Sequence, residues 1–583
     1  MPELDNAAIA RELEVMGDLL EIAGADRFRV LSYRKAANSI RAWPEQLSAM
    51  AEQDRLTEVP GVGKRLAASI TEMLHHGTFP EFEAAKAEYP AGLVELTQVA
   101  GVGPTRARQF YDKLGVDSVD ALLHAIDSGE LGRIGGMGEK TVASIRRGVE
   151  SFLAHRGRML LRDALPLAER LAAELLEHPA VLSATPAGSL RRMQETIGDI
   201  DIITASEDGP AVMEAVRELP AVARVLGSGE TKTSVLTTSG LQVDVRVVAP
   251  EQAGAALQYF TGSKEHNVAL REIAKRAGMK VNEYGVFRVD AQGTEVERLG
   301  GATEDEVYRI LGFAQTPPPE IRHDTGEIEA GLAGTLPRLV EPGDIRGDFH
   351  AHTTSTDAHS TLEENRAMAA ELGYEYLVVT DHAENLRMVR GMTVPQLEEQ
   401  WAEVDALNAS RGELPYILKG VELNVGPDGT VDYDPEILAR FDFCIASLHS
   451  GWGEESGAVT ERLLRAMDNP YVDIIGHPTG RIIGRRDPIA LDMDAVLAKA
   501  AETGTIMELN AYPDRLDLND AHLRLAMRRG VRIAIGTDAH RAEHMRYMRY
   551  GVATARRGWV TPNLCLNAQP LDTVRSWLRR NSR

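Results

Sequence analysis

Seven short apolar runs, separated by helix-like segments, constrain the second half of this chain more than any other feature. They lie between residues 347 and 540 and read "GDFHAH", "YLVVTDH", "YILKGVELN", "DFCIASLH", "VDIIGHP", "TIMELN" and "RIAIGTDAH". Apolar runs that alternate with helices are typical of parallel strands buried on both faces. We therefore expect βα units arranged around a parallel sheet or barrel.

Six of these seven runs carry an imidazole or a carboxylate at or near their C-terminal end. Because barrel enzymes place their sites at the C-terminal ends of the strands, we expect these side chains to converge on one mouth. The candidate metal ligands are His350, His352, Asp357, His382, Glu422, His449, His477, Asp538 and His540. Nine ligands are too many for one tetrahedral ion and suit two or three ions, and mixed ligation favours Zn²⁺, Mn²⁺ or Fe²⁺ over Mg²⁺. Such a cluster predicts phosphoester hydrolysis. His359 is left out because no strand position brings it to the mouth.

A second constellation of acidic residues lies earlier, in "GSLRRMQETIGDIDII" (188–203) and "LQVDVRVVA" (241–249). Asp199 and Asp201 are two apart on a predicted strand and so share a face, and Asp244 stands on one face of another strand. Carboxylates held this close repel one another unless a cation lies between them. Three on adjacent strands would form an oxygen-rich site for Mg²⁺ or Mn²⁺.

The first 150 residues read as helices joined by glycine turns, and three of these turns resemble one another. They occur in "EVPGVGKRLAASI" from Glu58, "QVAGVGPTRARQF" from Gln98 and "RIGGMGEKTVASI" from Arg133. Each turn precedes a helix, whose N-terminus directs free N–H groups and a partial positive charge outward. The three turns resemble helix-hairpin-helix DNA-binding motifs. The candidate phosphate contacts are Gly61, Val62, Gly63, Gly101, Val102, Gly103, Gly136 and Gly138.

Composition bounds the class of protein. The chain has 583 residues, 43% hydrophobic content and a net charge of -23, which indicates a folded multidomain protein without a basic arm. This charge argues against nucleic acid, but glycine turns can hold a phosphate without a basic side chain. Only two cysteines occur, no apolar run approaches the length of a membrane span, and the N-terminus is an acidic amphipathic helix without a basic leader. We expect a cytoplasmic protein.

The motifs "GSLRR", "GDIDI", "VDVRVV", "YFTGSKEHN" and "VNEYGVF" resemble, in this order, those of the family X DNA polymerases of the nucleotidyltransferase superfamily. The resemblance covers roughly residues 1 to 315. It implies that Asp199 and Asp201 bind two metal ions and that Asp244 ligates the catalytic ion and accepts the primer proton. It further implies that the incoming nucleotide is bound by Ser189, Arg192, Gly198, Tyr259, Phe260, Gly262, Lys264 and Asn267, with Arg158 as a further phosphate contact.

Two positions depart from the better-known members of that family. Lys264 stands where many members carry aspartate, which places a cation beside the incoming nucleotide. Ser69 stands where lyase-active members carry the Schiff-base lysine, and a serine cannot form that imine. We expect weak or absent deoxyribose-phosphate lyase activity, unless Lys64 or Lys35 substitutes.

The strand-end ligands resemble those of the polymerase and histidinol phosphatase (PHP) domain, a metal-dependent phosphoesterase with a distorted (βα)₇ barrel, over roughly residues 345 to 575. The resemblance implies one ion between His350, His352, Glu422 and Asp538. It implies a second ion at Glu422 and His449 near His477, and a third at Asp357, His382 and His540. Both halves in this order resemble bacterial family X polymerases, whose PHP domain implies 3′–5′ exonuclease activity and in some members 3′-phosphatase or abasic-site cleavage.

These observations predict a multidomain protein. The expected order is an N-terminal helical domain (1–90), helix-hairpin-helix fingers (91–155), an α+β palm (156–250), a thumb (251–315), a Pro- and Gly-rich linker (316–346) and the PHP barrel (347–583). The predicted function is a monomeric repair polymerase, associated with the nucleoid, that fills short gaps in nicked or gapped DNA with dNTPs and carries its own 3′-end nuclease. Two alternatives stay open: a small-molecule phosphatase with a relic front half, and a non-catalytic scaffold for DNA ends.

Overall fold

A computed structural model of the protein describes residues 6–41, 43, 45–155, 157–386, 389, 391–410, 412–451 and 455–578. The chain divides into two compact units, one comprising residues 1–156 and 482–487 and the other residues 157–481 and 488–583. Over the described ranges, no helix has both the length and the apolar character that a membrane crossing requires.

The N-terminal part of the first unit is helical, in agreement with the prediction for this region. Its helices are α1 (Asn6–Ile22), α2 (Arg27–Arg41), α3 (Leu47–Glu52), α4 (Lys64–His76), α5 (Pro80–Glu88), α6 (Gly92–Thr97), α7 (Pro104–Leu114), α8 (Val119–Asp127) and α9 (Glu139–His155), with 3₁₀ turns at Leu56–Glu58 and Leu131–Arg133. The apolar stripes of these helices pack into one continuous core.

The three glycine turns share one backbone geometry. Gly61, Gly101 and Gly136 have φ of 87°, 84° and 88°, a left-handed conformation that favours glycine. The valine after each of the first two glycines is buried, and its N–H closes a tight turn to a carbonyl three residues earlier, at 3.0 Å for Val62 and 2.9 Å for Val102. Helices α4, α7 and α9 begin three residues after these glycines, so each turn presents a helix N-terminus.

The second unit begins with an α+β region. Its elements are β1 (Met159–Leu160), α10 (Leu161–Leu176), β2 (Ser183–Pro186), α11 (Gly188–Arg191), β3 (Thr196–Ile197), β4 (Asp199–Ala205), α12 (Gly209–Glu218), β5 (Val222–Ser228), β6 (Lys232–Thr237) and β7 (Gln242–Val248). Five strands form a mixed sheet in the order β2-β4-β7-β6-β5, with β4 and β7 parallel. This central parallel pair brings the predicted acidic residues into register.

A smaller α+β region follows. It contains a 3₁₀ turn (Pro250–Gln252), α13 (Ala253–Thr261), α14 (Lys264–Arg276), β8 (Met279–Asn282), β9 (Gly285–Val289), β10 (Glu295–Gly300) and α15 (Glu304–Ile310), and its sheet has the order β10-β9-β8. The predicted linker contains a 3₁₀ turn (Pro319–Ile321), α16 (Glu327–Ala333) and another 3₁₀ turn (Pro342–Asp344). Ile328 of α16 packs into the core of this region, so part of the predicted linker is folded against it. The exact domain limits stay a prediction.

The C-terminal region alternates strands and helices as predicted, except that the run "YILKGVELN" forms two successive strands without a helix between them. Its elements are β11 (Gly347–Asp348), α17 (Leu362–Glu371), β12 (Tyr376–Val379), α18 (Val394–Ala409), β13 (Tyr416–Lys419), β14 (Glu422–Asn424), α19 (Pro435–Leu438), β15 (Ile445–Ser447), α20 (Ser456–Asp468), β16 (Ile474–Gly476), α21 (Met493–Thr503), β17 (Ile506–Asn510), α22 (Asp520–Arg528), β18 (Ile533–Gly536), a 3₁₀ helix (Ala542–Tyr547), α23 (Met548–Arg557), a 3₁₀ turn (Leu566–Ala568) and α24 (Leu571–Trp577).

These strands form two parallel sheets, β11-β12-β13 and β14-β15-β16-β17-β18. Single parallel bridges join the two sheets at His382 with Glu422 and at Ala351 with Ala539. All strands therefore direct their C-terminal ends to the same side, where the predicted ligands occur.

Candidate active sites

The three predicted acidic residues of the palm region, here called the palm triad (Asp199, Asp201 and Asp244), lie on the central parallel pair of strands. The register places Asp201 directly opposite Asp244, and Asp199 opposite Gln242. Burial raises the pKa of Asp201 to about 6, and the carboxylates of Asp199 and Asp244 add to this effect. Mutual repulsion of this kind is what a bound divalent cation relieves.

Lys232, which sequence reasoning missed, is part of this site. Its Nζ lies 2.6 Å from Oδ2 of Asp244, and Gln242 donates to Oδ1 of the same carboxylate at 3.1 Å. Although burial opposes ionisation, these hydrogen bonds hold the pKa of Asp244 below its usual value. Lys232 precedes the predicted strand "TSVLTT" by one residue, and only the pairing of β6 with β7 brings it to the triad.

The glycine turn before the triad is shaped by close contact with it. Gly188 has φ of 63°, and a Cβ there would lie 2.8 Å from Oδ2 of Asp201. This conformation begins the short helix α11, which carries Ser189 and is followed by Arg192. Arg192 donates to the carbonyl of Thr261, next to Gly262. Burial lowers the pKa of Arg192, because desolvation disfavours the charged guanidinium. A bound anionic ligand would offset this cost.

The remaining predicted nucleotide contacts lie on two further segments. Arg158 donates to Oγ1 of Thr196 at 2.9 Å and lies against Gly198, where a Cβ would be 3.0 Å from its Nη1. Tyr259 and Phe260 lie in the last turn of α13, and Lys264 begins α14. The ring of Phe260 lies 4.4 Å from the guanidinium of Arg246.

The predicted nucleotide contact Asn267 is buried. It donates to the carbonyl of Tyr259 at 2.7 Å and accepts from Gln258 at 2.8 Å. In the structure its amide therefore ties α14 to α13.

The nine predicted ligands of the C-terminal region, here called the histidine cluster, meet at the C-terminal ends of the strands. Glu422 lies at its centre: its carboxylate is 2.8 Å from Nδ1 of His382, 3.1 Å from Nε2 of His477 and 3.3 Å from Nε2 of His449. Asp538 lies 3.2 Å from Nε2 of His352.

Donor atoms of eight of the nine residues form three groups, each within 4.8 Å, and among the described residues His477 belongs to none of them, although its Nε2 lies 3.1 Å from Glu422. The groups are His350, His352 and Asp538; His382, Glu422 and His449; and His352, Asp357, His382 and His540. His352 and His382 each belong to two groups, so neighbouring ions could share ligands.

The donor set fits divalent cations. The Nε2 atoms of His350 and His352 are buried and have no hydrogen-bond partner among the described residues. Burial lowers the pKa of His352 to about 4, and the nearby His382 adds to this effect, which favours the neutral ring that a metal ion requires. Burial opposes protonation of His382, but Glu422 and Asp357 raise its pKa to about 10. A metal ion would replace that proton between the same partners.

Glu508 is a candidate site residue that sequence reasoning missed. It is 1% exposed, lies 2.6 Å from Nδ1 of His350 and accepts the backbone N–H of His477. A carboxylate on the outer nitrogen of a metal-binding histidine fixes its tautomer and orientation. Glu508 lies in "TIMELN", the one run without a predicted ligand. It has the same E-L-N position there that Glu422 has in "YILKGVELN", and this shared position was the available signal. Asn510 of the same strand donates to Asp538 at 3.1 Å.

Three features together define a class of protein: the palm triad behind the Gly188 turn, the glycine turns that present helix N-termini, and the cluster of imidazoles and carboxylates at parallel strand ends. They define a DNA nucleotidyltransferase joined to a metal-dependent phosphoesterase. Family comparisons agree: residues 256–323 match the DNA polymerase beta thumb, residues 4–79 a helix-hairpin-helix domain and residues 93–150 a SAM-like helix-hairpin-helix tandem.

Whole-chain comparisons identify the family. The chain is 37% identical over 579 residues to the DNA polymerase/3′-5′ exonuclease PolX of Bacillus subtilis (strain 168), covering 98% of this chain and 99% of the relative. The chain therefore belongs to the PolX family of DNA polymerases with 3′–5′ exonuclease activity. The predicted family X polymerase with a C-terminal PHP nuclease is confirmed at this level.

Two further relatives each match part of the chain. A probable phosphatase of Thermoanaerobacter sp. (strain X514) is 30% identical over 249 residues, which are 40% of this chain and 95% of that protein. DNA polymerase lambda of Rattus norvegicus is 24% identical over 339 residues, 54% of this chain and 56% of that protein.

Proposed function

We propose that this chain extends DNA 3′-hydroxyls at the palm triad and hydrolyses 3′-terminal phosphodiesters at the histidine cluster. The observation that carries the proposal is the register of β4 with β7, which sets Asp201 opposite Asp244. The histidine cluster lies in the same compact unit of the chain. Gapped or nicked DNA and dNTPs are the proposed substrates.

At the palm triad, Asp199 and Asp201 would hold two divalent ions, Mg²⁺ or Mn²⁺, and Asp244 would complete the site. Ions bound there would neutralise the triphosphate and the developing charge of in-line transfer. Asp244 would accept the proton of the primer 3′-hydroxyl, and its contact with Lys232 at 2.6 Å keeps it ionised for this role. The leaving pyrophosphate would be bound by Ser189, Arg192 and Arg158. It carries no base, so hydrogen-bond donors to its oxygens are sufficient to bind it.

At the histidine cluster, the proposed ions are two or three of Zn²⁺, Mn²⁺ or Fe²⁺. Bound there, they would clamp phosphate oxygens and lower the pKa of a coordinated water. Glu422 would bridge ions, since its two oxygens face different histidines: Oε2 faces His382, and Oε1 faces His449 and His477. Asp357, between His382 and His540, would complete the outer ion site.

The wider organisation follows from the same proposal. The parallel bridges between the two C-terminal sheets support a closed, distorted (βα)₇ barrel. The three glycine turns would hold DNA phosphates through backbone N–H groups. We further propose a monomer in the bacterial cytoplasm, where two buried cysteines that form no disulfide are compatible with a reducing environment.

The test is a labelled primer on gapped DNA, incubated in Mn²⁺ with and without dNTPs. Wild type should extend the primer with dNTPs and shorten it without them. Asp201→Ala should abolish extension and keep shortening, and His350→Ala should do the reverse.

Extension by Asp201→Ala would contradict the palm assignment, and undiminished shortening by His350→Ala would contradict the nuclease assignment. A protein that only binds DNA ends would give neither reaction in any variant. A small-molecule phosphatase would leave the primer intact yet hydrolyse p-nitrophenyl phosphate.

A further inference from the structure

Three aromatic rings pack together beside the histidine cluster. The ring of Tyr512 lies 5.6 Å from that of His544 and 5.3 Å from that of Tyr547, both at nearly right angles. The rings of His544 and Tyr547 stack at 4.9 Å. All three side chains keep part of their surface exposed, unlike neighbouring Tyr550, which is 6% exposed. We call Tyr512, His544 and Tyr547 the aromatic patch.

Two short segments place the aromatic patch next to proposed metal ligands. Tyr512 lies two residues after Asn510, which donates to Asp538 at 3.1 Å, and the Tyr512 N–H itself donates to Asn510 at 3.0 Å. His544 and Tyr547 belong to the 3₁₀ helix that begins two residues after His540. The patch therefore flanks the strand end that carries Asp538 and His540.

An arginine is held close to the aromatic patch, since the backbone N–H of Arg515 donates to the carbonyl of Tyr512 at 2.7 Å. Arg515 approaches Asp538, with Nε 3.5 Å from Oδ2, and its Nη1 is buried with no hydrogen-bond partner in the described part of the chain. Nη1 of Arg162, in α10, lies 2.5 Å from Oδ1 of Asp514. Burial acts to lower the pKa of Arg162, but Asp514 and other nearby groups, among them Tyr547 and Tyr512, raise it. A buried guanidinium N–H without an acceptor is costly unless a ligand supplies one.

We propose that the aromatic patch and Arg515 form the subsite for the 3′-terminal nucleotide of single-stranded DNA, the patch stacking on its base and Arg515 binding a phosphate oxygen. The inference rests on the nuclease function proposed above. If the scissile phosphate lies at the histidine cluster, the terminal base lies one sugar away, within reach of these rings. Partly exposed aromatic rings next to arginine are the usual means of holding single strands without sequence preference.

The competing explanation is that the rings only join the palm and C-terminal regions. Tyr550 does this: its hydroxyl donates to the carbonyl of Arg162 at 3.3 Å, and it is almost fully buried. The aromatic patch differs in its exposed surface and in its place beside Asp538. If the rings had a purely structural role, removing one of them would lower nuclease activity equally on DNA ends with and without a terminal base.

The test compares two single-stranded oligonucleotides with the full-length protein, one ending in a normal 3′-nucleotide and one in an abasic tetrahydrofuran residue. Tyr512→Ala should lower nuclease kcat/KM on the normal end by about 5- to 150-fold, the range for loss of one stacked base. On the abasic end the same variant should lose less than about twofold, since no base is there to stack. Tyr512→Phe keeps the ring and should retain the wild-type ratio between the two ends.

Two further variants complete the design. Arg515→Gln should lower kcat/KM equally on both ends, because it acts on a phosphate that both ends possess. Tyr416→Ala is the matched control, since Tyr416 begins β13 at the end opposite the histidine cluster and should keep the wild-type ratio.

If Tyr512→Ala lost kcat/KM equally on the normal and the abasic end, the stacking role would be overturned and the nuclease function would still stand. The same conclusion would follow if Tyr512→Phe lost as much kcat/KM as Tyr512→Ala. No effect of Arg515→Gln would overturn its phosphate contact. Absence of 3′-end shortening by wild type would instead refute the proposed function itself. Because the readout is a ratio between two substrates, a variant that folds only in part still gives a decisive result.

Discussion

Glu508→Gln is the substitution that most directly probes how the histidine cluster is held. The Glu508 carboxylate accepts from two donors at once, Nδ1 of His350 at 2.6 Å and the backbone N–H of His477. Glutamine has nearly the same shape but only one acceptor oxygen. Its amide nitrogen must therefore face one of the two donors, and that donor loses its partner.

The expected magnitude follows from this lost contact. A hydrogen bond to a charged group in a buried site contributes about 1.5 to 3 kcal/mol, and loss of the outer partner of a metal-binding histidine lowers metal affinity or activity about 10- to 100-fold. The two ranges agree, since about 1.4 kcal/mol corresponds to a factor of ten. We expect the Mn²⁺ concentration for half-maximal nuclease activity to rise about 10- to 100-fold.

The assay titrates Mn²⁺ into metal-free protein and follows shortening of a labelled 3′ end. Primer extension by the same preparation is an internal control and should be unchanged. Asp473→Asn is the matched variant. Asp473 is also 1% exposed and accepts a backbone N–H, that of Cys444 at 3.0 Å, but it lies immediately before β16, away from the C-terminal strand ends. A Glu508→Gln protein with a Mn²⁺ requirement within twofold of wild type would refute the reasoning. So would an equal loss in Asp473→Asn, which would indicate general destabilisation.

Three other outcomes are expected. Because the pKa of Asp201 is raised to about 6, protons compete with metal ions for this carboxylate below that pH. The Mg²⁺ concentration for half-maximal primer extension should therefore rise about tenfold for each pH unit below 6. A constant Mg²⁺ requirement between pH 5 and 7 would argue against metal binding by Asp201. Arg322→Met removes a 1% exposed cation 2.6 Å from Glu304, which keeps Arg191 as its other partner, and should lower the unfolding free energy by about 1.5 to 3 kcal/mol in calorimetry. Arg288→Met at an exposed pair should cost under about 1 kcal/mol, and similar values for the two variants would contradict the burial argument. Borohydride should trap no adduct with a 5′-deoxyribose phosphate, because Ser69 offers no amine, and a trapped adduct would indicate that a lysine elsewhere substitutes.

Much of the candidate chemistry could be predicted from local patterns. The D-x-D spacing of Asp199 and Asp201 and the H-x-H spacing of His350 and His352 each place two side chains on one face of a strand. The strand-end rule then predicted that ligands from different runs would meet. The structure brings the donor atoms of these runs within 4.8 Å of one another in groups, although their roles stay proposals.

Other residues could not be found in this way. Lys232 lies just before a predicted strand, and only the antiparallel pairing of β6 with β7 brings it to Asp244. Arg322 lies in the predicted linker, where its burial against Tyr308 and Glu304 has no local signal. The aromatic patch combines a loop after β17 with a helix after β18, neither of which shows a periodic pattern.

The sequence alone determined which residue types stand at strand ends, which neighbours share a face and where helices follow glycine turns, because these depend on the backbone period over a few residues. Only the tertiary structure decided which donor meets which acceptor. His350 and Glu508 are 158 positions apart and lie 2.6 Å from each other. Such contacts depend on sheet register and on packing between distant segments, and no local spacing encodes either of these.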